Sequence, residues 1–148
     1  MRISDVIRLN YNDIRNADAS MKSHIVITEQ KSKKLKRFPL TNGLLAEVER
    51  YTKNMKSGQY LFSSRKGSNK PISTTQAYRI ITDAGVRVGL EDVGTHTMRK
   101  TFGYWHYQQY KDIAMLQILF NHSSPSITLK YIGIQQDEID NSYRNFSL

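Results

Sequence analysis

The 148-residue chain contains no cysteine. That excludes a disulfide scaffold, thiolate zinc sites and a cysteine nucleophile, and leaves the compartment open. Acidic residues are scarce: 13 Asp+Glu face 22 Lys+Arg, a formal charge of +9. No apolar run approaches the ~18–20 residues of a membrane span. Met1-Arg2-Ile3-Ser4-Asp5 opens without the apolar stretch of a secretory signal, so a cytoplasmic protein is expected. Internal repeats and low-complexity linkers are missing, as are a glycine-rich phosphate loop and a carboxylate cluster suited to two Mg²⁺ ions. Neither a metal nor a cofactor is expected.

What is present suffices for a core. Apolar residues make up 39% and charged residues 24%, which disfavours wholesale disorder, and the length suits one compact domain. The pI near 9.8 favours a polyanionic partner, nucleic acid first and an anionic membrane surface second. The charge is uneven. From Lys22 to Arg37 six basic residues meet one acid, Glu29, and from Lys53 to Lys70 five meet none. The tail from Asp137 to Leu148 is mildly acidic.

Periodicity predicts a mainly helical α+β fold with one small antiparallel hairpin. Ile3, Val6 and Ile7 share a helical face, and Asn10 to Ile14 reads as a short strand. His24-Ile-Val-Ile-Thr and Leu35-Lys-Arg-Phe-Pro-Leu are strands around a very basic turn, with Pro39 suited to an edge. Leu44, Val48, Tyr51 and Met55 predict a helix stopped by Gly58. Ser73 or Thr74 caps the next, with Ala77, Ile81, Ala84 and Val88 on one face. Thr95 is the expected cap for the helix of Met98, Phe102 and Trp105. Ile113 to Phe120, capped by Asp112, is expected to be buried. Ser124-Pro125 has the order of an N-cap followed by proline at the first helical position, ahead of Ile127, Tyr131 and Ile132. Ile139, Tyr143 and Phe146 form a last apolar stripe.

Two clusters carry chemical interest. His96-Thr-Met-Arg99 sets a His and an Arg three apart at a helix start, where free N–H groups and the dipole favour an anion. His122-Ser-Ser-Pro follows the apolar helix, with Asn121 at a turn where a left-handed residue is needed and Tyr131 nine residues beyond His122. Each has a plainer reading. An HxxR pair is usually a surface pair, a Tyr on an amphipathic helix is usually core, and a basic turn is usually solvated. Only their joint occurrence, in order, points further.

That ordered set resembles the catalytic domain of the tyrosine recombinases, the phage integrase family. The likeness runs from Arg2 in Met-Arg-Ile-Ser-Asp-Val-Ile, through Lys31 in the hairpin turn and Arg-Phe-Pro-Leu. It continues through His96-Thr-Met-Arg99-Lys-Thr-Phe and Phe-Asn-His122-Ser-Ser to Tyr131, so it covers nearly the whole chain. Departures are few: Lys100 stands where the family often has another His, Phe120-Asn121 where Leu-Gly is usual, and Asp5 where Glu is common. The family places helices and a separate core-binding domain before the first arginine. Residues 1–148 are therefore expected to be an N-terminally truncated catalytic domain, with the DNA breaking-rejoining fold and without the core-binding domain.

The resemblance implies a site-specific recombinase or integrase that cuts and rejoins double-stranded DNA for a phage or mobile element. Tyr131 attacks a phosphodiester to form a 3′-phosphotyrosyl bond. A phenol with an ordinary pKa of ~10 needs a base for this, and the family supplies His96. Arg2 and Arg99 offer forked donors to the non-bridging oxygens, and His122 offers one more. Lys31 protonates the departing 5′ oxygen. Lys33, Lys34, Lys36, Arg65, Lys66 and Lys70 are candidate backbone phosphate contacts. A homotetramer on DNA is expected for the full-length protein, with the C-terminal tail either docked on a neighbour or packed on its own domain. A type IB topoisomerase and a non-catalytic DNA-binding module are the competing readings.

Overall fold

Two five-residue segments form the sheet, β1 (His24–Thr28), with four β-branched residues, and β2 (Leu35–Pro39), which brings Leu35 and Phe38. They pair antiparallel with Ile25 opposite Phe38 and His24 opposite Pro39, so proline takes the outermost rung, where a missing N–H does least harm. This geometry comes from a computed structural model, which describes residues 1–134 and 136–146, and only the backbone of Gln136–Glu138. The chain divides into two compact units, residues 1–94 and residues from 95 onward.

Around the hairpin, the first unit places α1 (Ile3–Val6), α2 (Tyr11–Ile14), α3 (Asn42–Thr52) and α4 (Thr74–Arg87). Leu9, Ile14, Ile25, Leu40 and Leu61 make its core, with Phe38, Leu45, Val48 and Phe62 packed at the margin. The strand expected over Asn10–Ile14 is instead the helical turn α2. The Asn10 side chain accepts from the Asn12 amide at 2.8 Å, and the Asn10 amide donates to Asp13 Oδ2 at 2.8 Å. This reciprocal capping outweighs a strand tendency spread over so few residues. Helix α3 stops at Thr52, well before Gly58. Thr52 is buried, and its Oγ1 accepts from Arg15 Nε at 3.2 Å and Nη2 at 3.1 Å. Ser73 caps α4 through a 3.1 Å bond from the Gln76 amide. Its buried residues are Ala77 and Gly85, whereas Ala84 and Val88 face outward.

The second unit is all helix: α5 (Thr97–Tyr110), α6 (Ile113–Phe120), α7 (Pro125–Ile132) and α8 (Gln136–Arg144). The cap of α5 is His96, not Thr95. Met98, Phe102 and Trp105 are exposed. Asp112 caps α6 with a 2.8 Å bond from the Met115 amide, as expected. The helix is nevertheless only partly buried: Leu116 and Phe120 are inside, and Met115, Ile118 and Leu119 are exposed. An eight-residue helix that is apolar except for Gln117 still buries only the face its neighbours cover. Ser124 and Pro125 start α7 as anticipated. In and after α8, Tyr143 is 78% and Phe146 71% exposed.

The core of the second unit is Leu116, Phe120 and Ile132. Helix α5 reaches it through buried Gly103. A Cβ at Gly103 would lie 2.7 Å from Ile132 Cγ2 and 2.7 Å from two Phe120 ring carbons. Gly103→Ala gains roughly 1 kcal/mol of helix propensity and loses about 1–3 kcal/mol to overpacking. A net destabilisation of up to about 2 kcal/mol is expected from urea unfolding. A more stable Gly103→Ala protein would mean that α5 slides away from α7 freely.

Candidate active site

Tyr131 sits near the end of α7, half buried, and its hydroxyl meets His96. His96 Nδ1 lies 3.2 Å from Tyr131 Oη, with the two rings edge to face. A helix N-cap holds the His96 backbone at the start of α5, so the imidazole is anchored at its root while its ring remains exposed. An imidazole nitrogen at this distance is placed to accept a phenolic proton.

The turn between α6 and α7 supplies the second histidine. Asn121 is left-handed, with φ 55° and ψ 48°, which Asn tolerates better than most residues. The His122 amide then donates to the Gln117 carbonyl at 3.0 Å, closing the helix end. The His122 ring packs edge-on against Tyr131 with centroids 5.1 Å apart. Its Nδ1 lies 3.1 Å from Thr128 Oγ1, and that buried hydroxyl donates to the Ser124 carbonyl at 3.2 Å. A hydroxyl has one proton. With it committed to Ser124, Thr128 accepts from His122, which places a proton on Nδ1. His122 Nε2 is thereby directed away from Thr128.

Arg99 joins the same cluster through Phe120. Its Nη2 donates to the Phe120 carbonyl at 3.1 Å, and Cζ stands 4.4 Å above the Phe120 ring centre. That ring also meets His122 at 5.4 Å and Tyr131 at 5.5 Å. Phe120 thus supports three of the proposed site residues at once. The sequence marks Phe120 as the end of an apolar helix and as a departure from Leu, and gives no sign of the role of Thr128. The one available clue was their spacing from His122.

Arg2 and Lys31 belong to the first unit, where two buried acids tie their surroundings together. Asp5 accepts from the Arg2 amide at 3.2 Å and from the Gln30 amide at 3.0 Å, linking the chain start to the residue before Lys31. Glu29 Oε1 lies 3.4 Å from Arg2 Nη1, and Glu29 Oε2 accepts from Ser32 Oγ at 2.7 Å. Lys31 itself is exposed in the turn. Lys33 and Lys34 are exposed beside it, Lys36 is half buried, and Arg65, Lys66 and Lys70 are exposed in the loop between Phe62 and Pro71. Lys33 is left-handed, with φ 56°.

Burial raises the Glu29 carboxyl pKa, but the Ser32 hydrogen bond and the charges of Lys36 and Arg2 outweigh it, so the net shift is below the ordinary 4.5. A carboxyl with a lowered folded-state pKa contributes stability above its unfolded value and loses it as pH falls through the folded value. Glu29→Gln should therefore lose about 1–2 kcal/mol at pH 7, less than a fully buried pair, because Arg2 reaches solvent. It should also lose less stability than the native chain on acidification from pH 5 to 3. Equal slopes in urea titrations over that range would rule this out.

Among the described residues, no group of three or more His, Asp or Glu is arranged to hold a metal ion. No helix among them is long and apolar enough to cross a membrane.

Comparison with known proteins places these features in context. The profile described as the phage integrase family matches residues 1–138. A probable integrase/recombinase of Bacillus subtilis, YoeC, is 49% identical over 146 residues, covering 99% of this chain and 77% of its own length. Tyrosine recombinase XerA of Pyrococcus horikoshii is 29% identical over 136 residues, covering 90% of this chain and 46% of its own. The fold matches a crystal structure of XerA recombinase with a TM-score of 0.75 at 20% identity, covering 99% of this chain and 54% of that one. It also matches XerH recombinase bound to palindromic difH substrate, with a TM-score of 0.70 at 20% identity, covering 98% of this chain and 41% of that one. The chain thus spans about half the length of the Xer relatives.

Proposed function

The chain belongs to the phage integrase family and is a tyrosine recombinase catalytic domain, and on that premise we propose that it cuts and rejoins double-stranded DNA at specific sites through a 3′-phosphotyrosyl intermediate. The observation that carries this reading is the 3.2 Å approach of His96 Nδ1 to Tyr131 Oη, beside His122 and the Arg99–Phe120 stack.

In this reading His96 takes the phenolic proton as Tyr131 Oη attacks phosphorus. The P–O5′ bond breaks as the P–Oη bond forms, and Lys31 protonates the departing oxygen. Arg2, Arg99 and His122 donate to the non-bridging oxygens, where negative charge concentrates in the transition state. Guanidinium suits this task because it is planar, forked and permanently charged. The phosphotyrosine keeps the bond energy, so a 5′-hydroxyl from another strand reseals the backbone by the reverse steps without ATP. Arg2 and Lys31 take their roles from the family likeness and their charge.

The surrounding roles are proposals of the same kind. Lys33, Lys34, Lys36, Arg65, Lys66 and Lys70 hold backbone phosphates. The protein acts in the cytoplasm on a phage or mobile element, as a homotetramer on DNA. Exposed Tyr143 and Phe146 favour docking of the tail on a neighbouring copy over packing on its own unit.

Two measurements test this reading. The protein is offered a pool of nicked duplexes, and covalent adducts are captured in denaturant, alongside supercoil relaxation and two-site recombination assays. Adducts with recombination are expected; relaxation alone would favour a topoisomerase, and no adduct a binding module. Sedimentation with and without residues 137–148 tests the tail, and an unchanged monomer in both rejects docking.

A further inference from the structure

Helix α5 turns an imidazole and an ammonium toward Tyr131. His96, at its N-cap, reaches the hydroxyl. Lys100 lies one turn further on, its amide bonded to the His96 carbonyl at 2.9 Å, and its ammonium stands 5.9 Å from the centre of the Tyr131 ring. Residues four apart on a helix share a face, so the two are held side by side by the same backbone. The family commonly has a histidine at this position, and the roles assigned above leave Lys100 without a task.

We propose that Lys100 is a positioning residue that stabilises the phenolate of Tyr131, acting through that side chain and not on the DNA. The proposal rests on the reading of Tyr131 as the nucleophile.

The physical reason is differential attraction. An ammonium near a neutral phenol ring gains a weak cation–π contact, whereas near a phenolate it gains a full charge–charge interaction. A group stabilised more in its charged form loses its proton more readily. The other charged or titratable groups around Tyr131 do different things. His96 faces the hydroxyl from the α5 N-cap and takes its proton. His122 packs against the ring from the α6–α7 turn and is anchored to Thr128. Arg99 bonds the Phe120 carbonyl through Nη2, and the uncharged Phe120 ring also meets Tyr131. Lys100 adds positive charge beside the ring without consuming a proton, so it complements His96 and does not duplicate it.

The test uses the full chain labelled with ¹³C at the tyrosine Cζ, with the Tyr131 resonance assigned by its loss in Tyr131→Phe. Lys100→Gln should raise the Tyr131 titration midpoint by about half to one pH unit, the size expected of one solvent-exposed charge at this range. Lys100→Arg, which keeps the charge, should leave it close to the native value. Adduct formation below the midpoint should fall roughly 3- to 10-fold in Lys100→Gln, with the deficit shrinking as pH rises. An unmoved midpoint in Lys100→Gln, or a shift in Lys100→Arg as large as in Lys100→Gln, overturns the proposal. So does weaker DNA binding in Lys100→Gln with no midpoint shift, since that places the ammonium on phosphate. A shifted midpoint in a protein that forms no adduct upholds the pairing and rejects the nucleophile reading, so the two failures are separable.

Discussion

Tyr131→Phe should reduce covalent capture of DNA to background, at least ~10³-fold below the native protein, if the Tyr131 hydroxyl is the nucleophile as proposed. The substitution removes one oxygen and keeps the ring. The contacts of that ring with Phe120 and His122 survive, so the α7 packing that presents residue 131 is retained. The lost hydrogen bond to His96 lies at an exposed nitrogen and costs at most ~1 kcal/mol of stability. DNA binding should stay within about twofold, since the hydroxyl contributes little to phosphate neutralisation. The readout is the fraction of a nicked duplex that migrates with protein after denaturation. A Tyr131→Phe protein that still captures DNA would transfer the reaction to another of the nine tyrosines and dismantle the roles given to His96 and Lys100.

The second large effect concerns Arg99. Arg99→Lys keeps the charge but loses the planar fork, the 3.1 Å bond to the Phe120 carbonyl and the stack over the Phe120 ring. Single-turnover cleavage should fall by about 10²–10³, the range typical for removing a directed donor from a developing oxyanion. Binding should suffer far less, because a lysine still neutralises one phosphate; the slope of log affinity against log salt should change by no more than about one. Phe120 makes this substitution informative. Its ring also supports His122 and Tyr131, so losing the stack loosens three groups at once. Phe120→Leu, which restores the residue usual in the family, separates the two causes. It should cost much less cleavage than Arg99→Lys if the guanidinium acts directly. Cleavage within threefold of native in Arg99→Lys would show that the fork is not used.

Much of the molecule was legible in advance where a local chemical rule acts. Asp112, Ser73 and Ser124 cap the helices they were expected to cap, because a short side-chain oxygen next to free amides satisfies them within three residues. Asn121 takes the left-handed turn, and Pro39 ends the hairpin. The errors share one cause. Asn10–Ile14 is too short for its period to decide between strand and helix, and a reciprocal cap decided it. Helix α6 has one polar residue, Gln117, so its order of residues says little about which side is covered.

Taken alone, the order of residues determined the family, the mainly helical fold with one hairpin, and the series Arg2, Lys31, His96, Arg99, His122 and Tyr131 as candidates. These depend on residue type and on neighbours within a few positions along the chain. Only the tertiary structure decided that Tyr131 meets His96 across 35 positions, that Phe120 carries Arg99 and two aromatic partners, and that Glu29 pairs with Arg2 across 27. Such contacts follow from how helices and strands pack, and packing depends on volumes and directions that no local pattern records.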